Sequence, residues 1–482
     1  MSIHTPFVRR CATSPLIQVV SAGILASSGL LVPTLFPFSI IGAATYLYIL
    51  WSRPHSLAAL LGYGLLFGVL TSAAGLIWFF DTLPLAWMGV PEGTEYLLVS
   101  ITWVAASFAL ALPHAVGAYV LSLLRTSPYA PLGAALLWGG VEVVRTWSFA
   151  LLVLAPESVL NSYFSITSLG YALTEQPHLL QFARLGGFHA LNIAFGLSAG
   201  SIAALCIPHR AMRQTGIIAL LTLLLLPFFL YAPMNTHTNT LRVGLVATDI
   251  HAGVAPTADS FASIHTILAS PTTPLDMLVF PEGYGLNGSP LTYPGELLVI
   301  GSHYASSTDQ TGYGTLTYWS STEGLLGTHQ KTLLVPLGEY LPPVLRTLFF
   351  LSHSTELTDY LKDHYERVTR RGSRTEVISF GTTRIAALLC SEILSPSLYH
   401  SLVRDQGADV LINVANNAWF HGSRLVHRRL TQLAKVHAVY TQRYFLVSAN
   451  ASPSYAVTPR GTIIAETPWG ANAVLVVEIP IP

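Results

Sequence analysis

A multi-spanning α-helical membrane domain followed by a layered α/β domain is the fold class this chain predicts, and three observations predict it. Of its 482 residues, 51% are hydrophobic and only 10% are charged, whereas soluble domains carry about 25% charged residues. Apolar runs of membrane-spanning length crowd the first half. From about residue 240 the pattern changes to short β-rich runs punctuated by Gly, Pro and Asn.

A helix needs about 20 apolar residues to cross the hydrocarbon core. Seven segments qualify, at 15–32, 35–51, 57–80, 97–124, 129–153, 185–206 and 216–232. Arg9, Arg10, Arg53, Arg125, Arg210 and Arg213 flank them on one side, and Asp81, Glu92, Glu95 and Glu157 on the other. The positive-inside rule therefore predicts a cytoplasmic N-terminus and an external segment after about residue 233, periplasmic in a bacterium. Arg9 and Arg10 ahead of an apolar run imitate a signal peptide, but the apolar segments that follow favour a retained first helix. Glu142 and Arg145 stand three apart in the fifth segment. They read either as a functional intramembrane pair or as a self-neutralising pair that fixes helix packing. The loop 154–184, with Tyr163, Phe164, Tyr171 and Phe182, reads either as the rim of a lipid entrance or as an ordinary aromatic belt.

In the second half, strands are expected at 241–247, 277–280, 297–301, 314–320, 385–389, 410–414, 444–448, 454–458 and 473–479. Turns are expected at 322–324 and 459–461. Helices are expected at 258–269, 395–405 and 425–443, the last with Val426, Leu430, Leu433, Val436 and Val439 on one face. This interleaving predicts an α/β layered sandwich over 240–482, behind a membrane domain over 1–233. The segment 340–372, with Leu345, Leu348, Phe349, Phe350 and Leu351, reads either as a lid that dips into lipid or as local core.

Charge and cysteine content exclude several functions. Lys+Arg and Asp+Glu balance at 24 each, so no basic field argues for nucleic acid. Three cysteines, Cys11, Cys206 and Cys390, make no disulfide framework. The 17 histidines are scattered, and His421, His427 and His437 lack ligand spacing, so no metal is expected. No Gly-x-Ser-x-Gly elbow points to a serine hydrolase.

Reactive side chains stand at three apolar strand ends: Glu282 after Met277–Phe280, Lys331 before Leu333-Leu-Val335, and Cys390 after Ala386–Leu389. A cysteine nucleophile needs a base for its proton and a cation for the developing oxyanion, and this set offers both. Singly, each also fits an ordinary part: a solvated cap, a surface charge, a buried inert thiol.

Phe-Pro-Glu282, Lys331 with Val335-Pro-Leu-Gly-Glu339-Tyr, Cys390-x-Glu392 and Asn416-Asn-Ala-Trp419-Phe420 resemble the Glu–Lys–Cys domain of the nitrilase, or carbon-nitrogen hydrolase, superfamily. Behind seven spans, and with Leu137-Trp-Gly-Gly-Val-Glu142-x-x-Arg145, Gly170-Tyr171 and Leu180-Gln-Phe, the chain resembles that superfamily's membrane-bound apolipoprotein N-acyltransferases. The resemblance implies a multi-pass protein of the bacterial inner membrane with a periplasmic nitrilase-like αββα sandwich, needing no cofactor and acting as a monomer. It implies a ping-pong reaction. Glu282 would be general base, Cys390 would take the sn-1 acyl chain of a phospholipid as a thioester, and Lys331 would hold the oxyanion. The α-amine of a diacylglyceryl-modified apolipoprotein would receive the chain. Glu339 and Glu392 would orient Lys331 and the amine, and Trp419 and Phe420 would wall the pocket or simply fill the core.

The chain departs from the family at Ser391, where Tyr is usual, and at Ala247-Thr248, His437, Tyr440 and Val447. It also lacks the usual Trp after the seventh span, and no eighth spanning helix is expected before Pro482. These departures leave two further readings open. One is a membrane-tethered lipid or amide hydrolase of the same superfamily; the other is a catalytically weak lipoprotein-binding paralogue.

Overall fold

The computed structural model describes residues 14–86, 90, 92–156, 158, 165, 167–231, 239–252, 254, 274–284, 295–306, 312–344, 346–347, 369–373 and 375–481. The expected helix at 258–269, Tyr163 and Phe164, and the apolar residues 345 and 348–351 of the 340–372 segment lie outside these residues. The chain divides into two compact units. One comprises Met1–Phe79, Val99–Leu152 and Asn161–Tyr231, and the other Phe80–Leu98, Val153–Leu160 and Ala232–Pro482.

The first unit is helical: α1 (Pro15–Leu31), α2 (Phe36–Ser52), α3 (Leu57–Gly75), α4 (Glu95–Ser122), α5 (Ala130–Leu152), α6 (Ala183–Cys206) and α7 (Arg210–Leu230). These fall where the seven apolar segments predict helices. Among the described residues, six are long and apolar enough to cross a membrane by length and composition, α2 together with the 3₁₀ turn Pro33–Leu35 before it, and α1 is shorter, at 17 residues. Small residues let the helices approach closely. A Cβ on Gly64 of α3 would stand 2.1 Å from the His114 carbonyl oxygen of α4. Tyr171 and Phe182 are buried inside this unit rather than rimming it or forming a belt, and the Tyr171 hydroxyl is bonded to Ser165 at 2.8 Å.

Glu142 and Arg145 are each 1% exposed. Arg145 Nε and Nη2 donate to Glu142 Oε2 at 2.8 and 2.6 Å, and Nη1 donates to Thr167. A buried pair adds little net stability, but removing one partner strands the other charge, at about 3–5 kcal/mol. Arg145→Leu should therefore lower the thermal midpoint in detergent sharply, and adding Glu142→Leu should restore most of it. A single variant as stable as wild type would refute this account of the pair.

The second unit is a sandwich whose two sides belong to one continuous sheet among the described residues. Strands β1 (Thr240–Thr248), β2 (Met277–Val279), β3 (Leu298–Ser306), β4 (Gly312–Ser320) and β5 (Gly324–Gln330) form one side, with β12 (Ala473–Pro480) antiparallel to β1. Strands β6 (Ile378–Phe380), β7 (Thr383–Leu389), β8 (Val410–Asn416), β9 (Tyr444–Asn450), β10 (Tyr455–Val457) and β11 (Ile463–Glu466) form the other. The two sides join where Ala247 and Thr248 pair with Ala449 and Asn450. Val243, Leu245, Met277, Val279 and Tyr318 meet Ile385, Ala387, Ile412, Val414 and Leu446 in the core between the two sides. The Tyr318 hydroxyl accepts from Ala387 N at 2.8 Å. Outside, α8 (Leu398–Gln406) and α9 (Arg424–Thr441) cover β9, where His437 and Tyr399 pack on the Phe445 ring. This is the expected αββα architecture, with β5, β6 and β11 added to the strands the sequence predicts.

Strand direction decides where chemistry can gather. Strands β1, β2 and β3 are parallel, and two antiparallel steps bring β5 back to the direction of β2. Strands β7, β8 and β9 are parallel to one another, and β9 to β1. The C-terminal ends of β2, β5, β7, β8 and β9 therefore all open on one end of the sandwich, the usual position for sites on parallel strands.

Candidate active site

Glu282, Lys331, Cys390 and Asn416 stand at four of those strand ends. Pro281 stops β2 and Glu282 follows, 7% exposed, its N–H donating to Ala415 O at 3.3 Å. Lys331 continues β5: its N–H donates to Gly314 O at 2.8 Å, and its carbonyl accepts from Gly372 N at 2.8 Å. With both backbone groups bound, the Lys331 ammonium is fixed between two carboxylates. Nζ lies 3.2 Å from Glu282 Oε1 and 3.0 Å from Glu339 Oε1. Glu339 Oε2 also accepts from Val335 N at 2.7 Å, closing the turn that presents it. Burial pushes the Glu339 carboxyl above its ordinary value despite the Lys331 charge.

Cys390 ends β7 with φ at 42°, a left-handed conformation for a residue that is not glycine, and the chain turns at once into the 3₁₀ segment Cys390–Leu394. Such a conformation costs about 1–3 kcal/mol and persists only where the surroundings enforce it. Here it leaves the side chain partly exposed at the strand end. Burial and the nearby Glu282 charge push the thiol well up, against the opposing pull of Lys331 and a hydrogen bond from the Asn416 backbone N–H. The resting group is thus a thiol. Asn416 is braced by Asn450, whose Nδ2 donates to its Oδ1 at 2.9 Å, and Asn450 in turn accepts from Thr248 at 2.8 Å.

Ser391 and Glu392 hold the turn from behind. Ser391 Oγ donates to the Leu333 carbonyl. Glu392, fully buried, accepts at Oε1 from Thr332 N and Oγ1 at 2.7 and 2.6 Å. At Oε2 it accepts from Leu389 N at 2.7 Å, and His329 Nε2 stands 2.8 Å away. Glu392 therefore reaches the backbone beside Lys331 rather than its ammonium. Trp419 packs on Gly338, where a Cβ would come within 2.6 Å of the indole ring. Phe420 is partly exposed at the end of the 3₁₀ turn Ala418–Phe420. The sequence reading missed His329, Thr332 and Asn450. No local signal marked them: His329 lies two residues before Lys331 on the same strand face, but the strand that gives this spacing meaning carries no strand pattern of its own.

Burial would raise the Glu392 carboxyl, but His329, Thr332 and Leu389 outweigh it and hold it below its ordinary value. A folded-state value below the unfolded one, about 4.3, gives stability that is complete above that pH and is lost as pH falls through the folded value. Glu392→Gln turns an NH₂ towards donors and should cost about 2–5 kcal/mol at pH 7. Thermal midpoints should show this gap closing below about pH 4, and a gap constant with pH would overturn the assignment.

The carbon-nitrogen hydrolase family model matches residues 294–482, which hold Lys331 and Cys390, while Glu282 lies ahead of it. Over 491 aligned residues, the chain is 24% identical to an apolipoprotein N-acyltransferase of Pseudomonas syringae pv. tomato, covering 94% of this chain and 90% of that one. A second, from Azotobacter vinelandii, is 26% identical over 417 residues, covering 79% and 74%. The chain is thus similar over most of its length to bacterial apolipoprotein N-acyltransferases. Among solved structures, Nit3 of Saccharomyces cerevisiae, a member of branch 10 of the nitrilase superfamily, aligns with 52% of this chain and 93% of its own. Its TM-score is 0.36 and its identity 15%. The likeness to the acyltransferases thus runs through both units, and the carbon-nitrogen hydrolase match covers most of the second.

Proposed function

We propose that this homologue of the apolipoprotein N-acyltransferases moves an acyl chain from the sn-1 position of a phospholipid to the α-amine of an S-diacylglyceryl-cysteine on an apolipoprotein. The observation that carries this reading is Lys331 held 3.2 and 3.0 Å from two carboxylates, with Cys390 under the charge of all three. Glu282 takes the Cys390 proton as Sγ bonds to the ester carbonyl carbon. Lys331 stabilises the oxyanion that develops there. The carbonyl re-forms, the C–O bond to glycerol breaks, and Glu282 returns the proton to the leaving oxygen. This gives a lysophospholipid and a Cys390 thioester. The amine then attacks the thioester, an N–C bond forms, the S–C bond breaks, and a proton passes through Glu282 back to sulfur. Glu339 fixes the ammonium, Ser391 and Glu392 fix the turn, Asn416 supports the thiol, and Trp419 and Phe420 line the acyl or amine pocket. The donor is already an ester, so the step asks for no activating cofactor.

The proposed setting is the bacterial inner membrane, with a cytoplasmic N-terminus and a periplasmic catalytic domain, acting as a monomer. Support comes from the division of the chain. The basic connections near Arg53, Arg125 and Arg210 fall in the helical unit, whereas the connections Phe80–Leu98 and Val153–Leu160, which carry Asp81, Glu92, Glu95 and Glu157, fall in the sandwich unit. Within that unit Ser423 donates to Asp81, and Tyr340 donates to Val153 O at 3.0 Å.

Incubation with phospholipid labelled on its sn-1 chain tests the chemistry. The expected result is hydroxylamine-labile label on the protein that a diacylglyceryl-cysteine peptide discharges as an amide. Discharge to free fatty acid would make the protein a hydrolase, and a protein that takes no label would be a non-catalytic binder.

A further inference from the structure

His329 has no part in the steps above, yet it is fully buried beside them, with its Nε2 2.8 Å from Glu392 Oε2. We propose that His329 is a positioning residue: it holds Glu392 as a clasp between the turn that bears Cys390 and the strand that bears Lys331. The inference rests on the reading of Cys390 and Lys331 as nucleophile and oxyanion cation.

The bonds of Glu392 carry the argument. Oε2 takes the Leu389 N–H, one residue before the nucleophile, and Oε1 takes the Thr332 N–H, one residue after the cation. One carboxylate thus ties strand ends from the two sides together. Its orientation decides the distance between thiol and ammonium. The backbone donors alone leave half the lone pairs of a fully desolvated anion to be met by side chains. Thr332 Oγ1 meets the demand at Oε1, and His329 meets it at Oε2.

The geometry also sets the tautomer. A carboxylate only accepts, so the proton between the two groups sits on Nε2. His329 Nδ1 is buried without a hydrogen-bond partner among the described residues, so the ring's one side-chain contact there is the one to Glu392. Other polar groups nearby are engaged elsewhere: the Tyr318 hydroxyl accepts from Ala387 N at 2.8 Å, the Tyr399 hydroxyl donates to Ile412 O at 3.0 Å, and Asn413 Nδ2 donates to Cys390 O at 3.2 Å. Because His329 and Lys331 share a strand face two residues apart, a shift of the clasp reaches the ammonium directly.

The test is single-turnover labelling of the full chain in detergent with sn-1-labelled phosphatidylethanolamine, across lipid concentration. His329→Leu removes the donor and should slow maximal acylation about 10- to 100-fold, because a misplacement near 1 Å costs about that much. The half-saturating lipid concentration should stay unchanged, because His329 touches no substrate. His329→Gln keeps an N–H at the same reach and should restore acylation to within a few-fold of wild type. Wild-type acylation by His329→Leu, or His329→Gln as slow as His329→Leu, overturns the inference. Should His329→Leu not fold, Glu392→Gln takes its place. Slow acylation with unchanged half-saturation then supports the clasp, and a wild-type rate overturns it. Wild-type protein that takes no label overturns the acyl-transfer reading and this inference together, whereas label on wild type and an unaffected His329→Leu overturns the inference alone.

Discussion

Replacing Cys390 by alanine leaves a folded protein that holds no acyl group, with transfer reduced by on the order of 10⁴-fold or more. The fold should tolerate the change. Alanine meets the same left-handed φ of 42° as cysteine, and only one sulfur atom is lost from a partly exposed position. The chemistry should not tolerate it, since no other described thiol lies at the strand ends; the described Cys206 closes helix α6. The state of the thiol offers an independent check on wild type. Burial and the Glu282 charge raise it further than Lys331 lowers it. Alkylation by iodoacetamide should therefore remain slow at pH 8–9, where a free cysteine, with a value of about 8.5, reacts readily. Fast alkylation at neutral pH would mean a resting thiolate and would remove the need for Glu282 as base in the first step.

Much of this site was legible in the sequence because each reactive residue follows an apolar run that strand direction carries to one end of the sandwich. Met277–Val279 and Thr383–Leu389 lie in the buried interior, and such runs read clearly. Strand β5 did not, since Gly-Leu-Leu-Gly-Thr-His-Gln has neither alternation nor a β-branched run, and its pairing with β4 comes from tertiary contact. That omission hid His329, the group that completes Glu392. The left-handed turn at Cys390 was equally silent, because no glycine marks it. Long-range polar contacts were beyond reach as well: the bond between Ser423 and Asp81 joins residues far apart in sequence, and no local signal encodes it. The same limit explains Glu392. Cys390-x-Glu392 as a string suggests a side chain in the pocket, while the fold turns that carboxylate back onto Thr332 and Leu389.

Lys331→Met should lose both activity and stability, and the two losses should separate. On the proposed mechanism, losing the ammonium takes the cation from the oxyanion in a buried site, which should cost about 10²–10³-fold in acylation. The same change leaves Glu282 and Glu339 facing each other without the charge that lay 3.2 and 3.0 Å from them. Stranding buried charges costs about 3–5 kcal/mol. The pH dependence follows from Glu339, whose carboxyl burial already raises and whose main opposing influence is Lys331. A folded-state value above the unfolded one gives stability that is present below the unfolded value, about 4.3, and is lost as pH rises through the folded value. The thermal midpoint of Lys331→Met should therefore recover as pH is lowered from 8 towards 5, more than that of wild type. Adding Glu339→Gln removes one of the two facing charges and should restore most of the midpoint at pH 7. It cannot restore a cation, so acylation should stay low in the double variant. A double variant that regains both would assign Lys331 a purely structural role, and a single variant that keeps wild-type acylation would move the oxyanion contact to other donors. Lys331→Arg tests the shape of the charge. A planar guanidinium presents its donors as a rigid fork, whereas the two carboxylates converge on one ammonium nitrogen, so the substitution should keep the midpoint better than Met does and still acylate poorly.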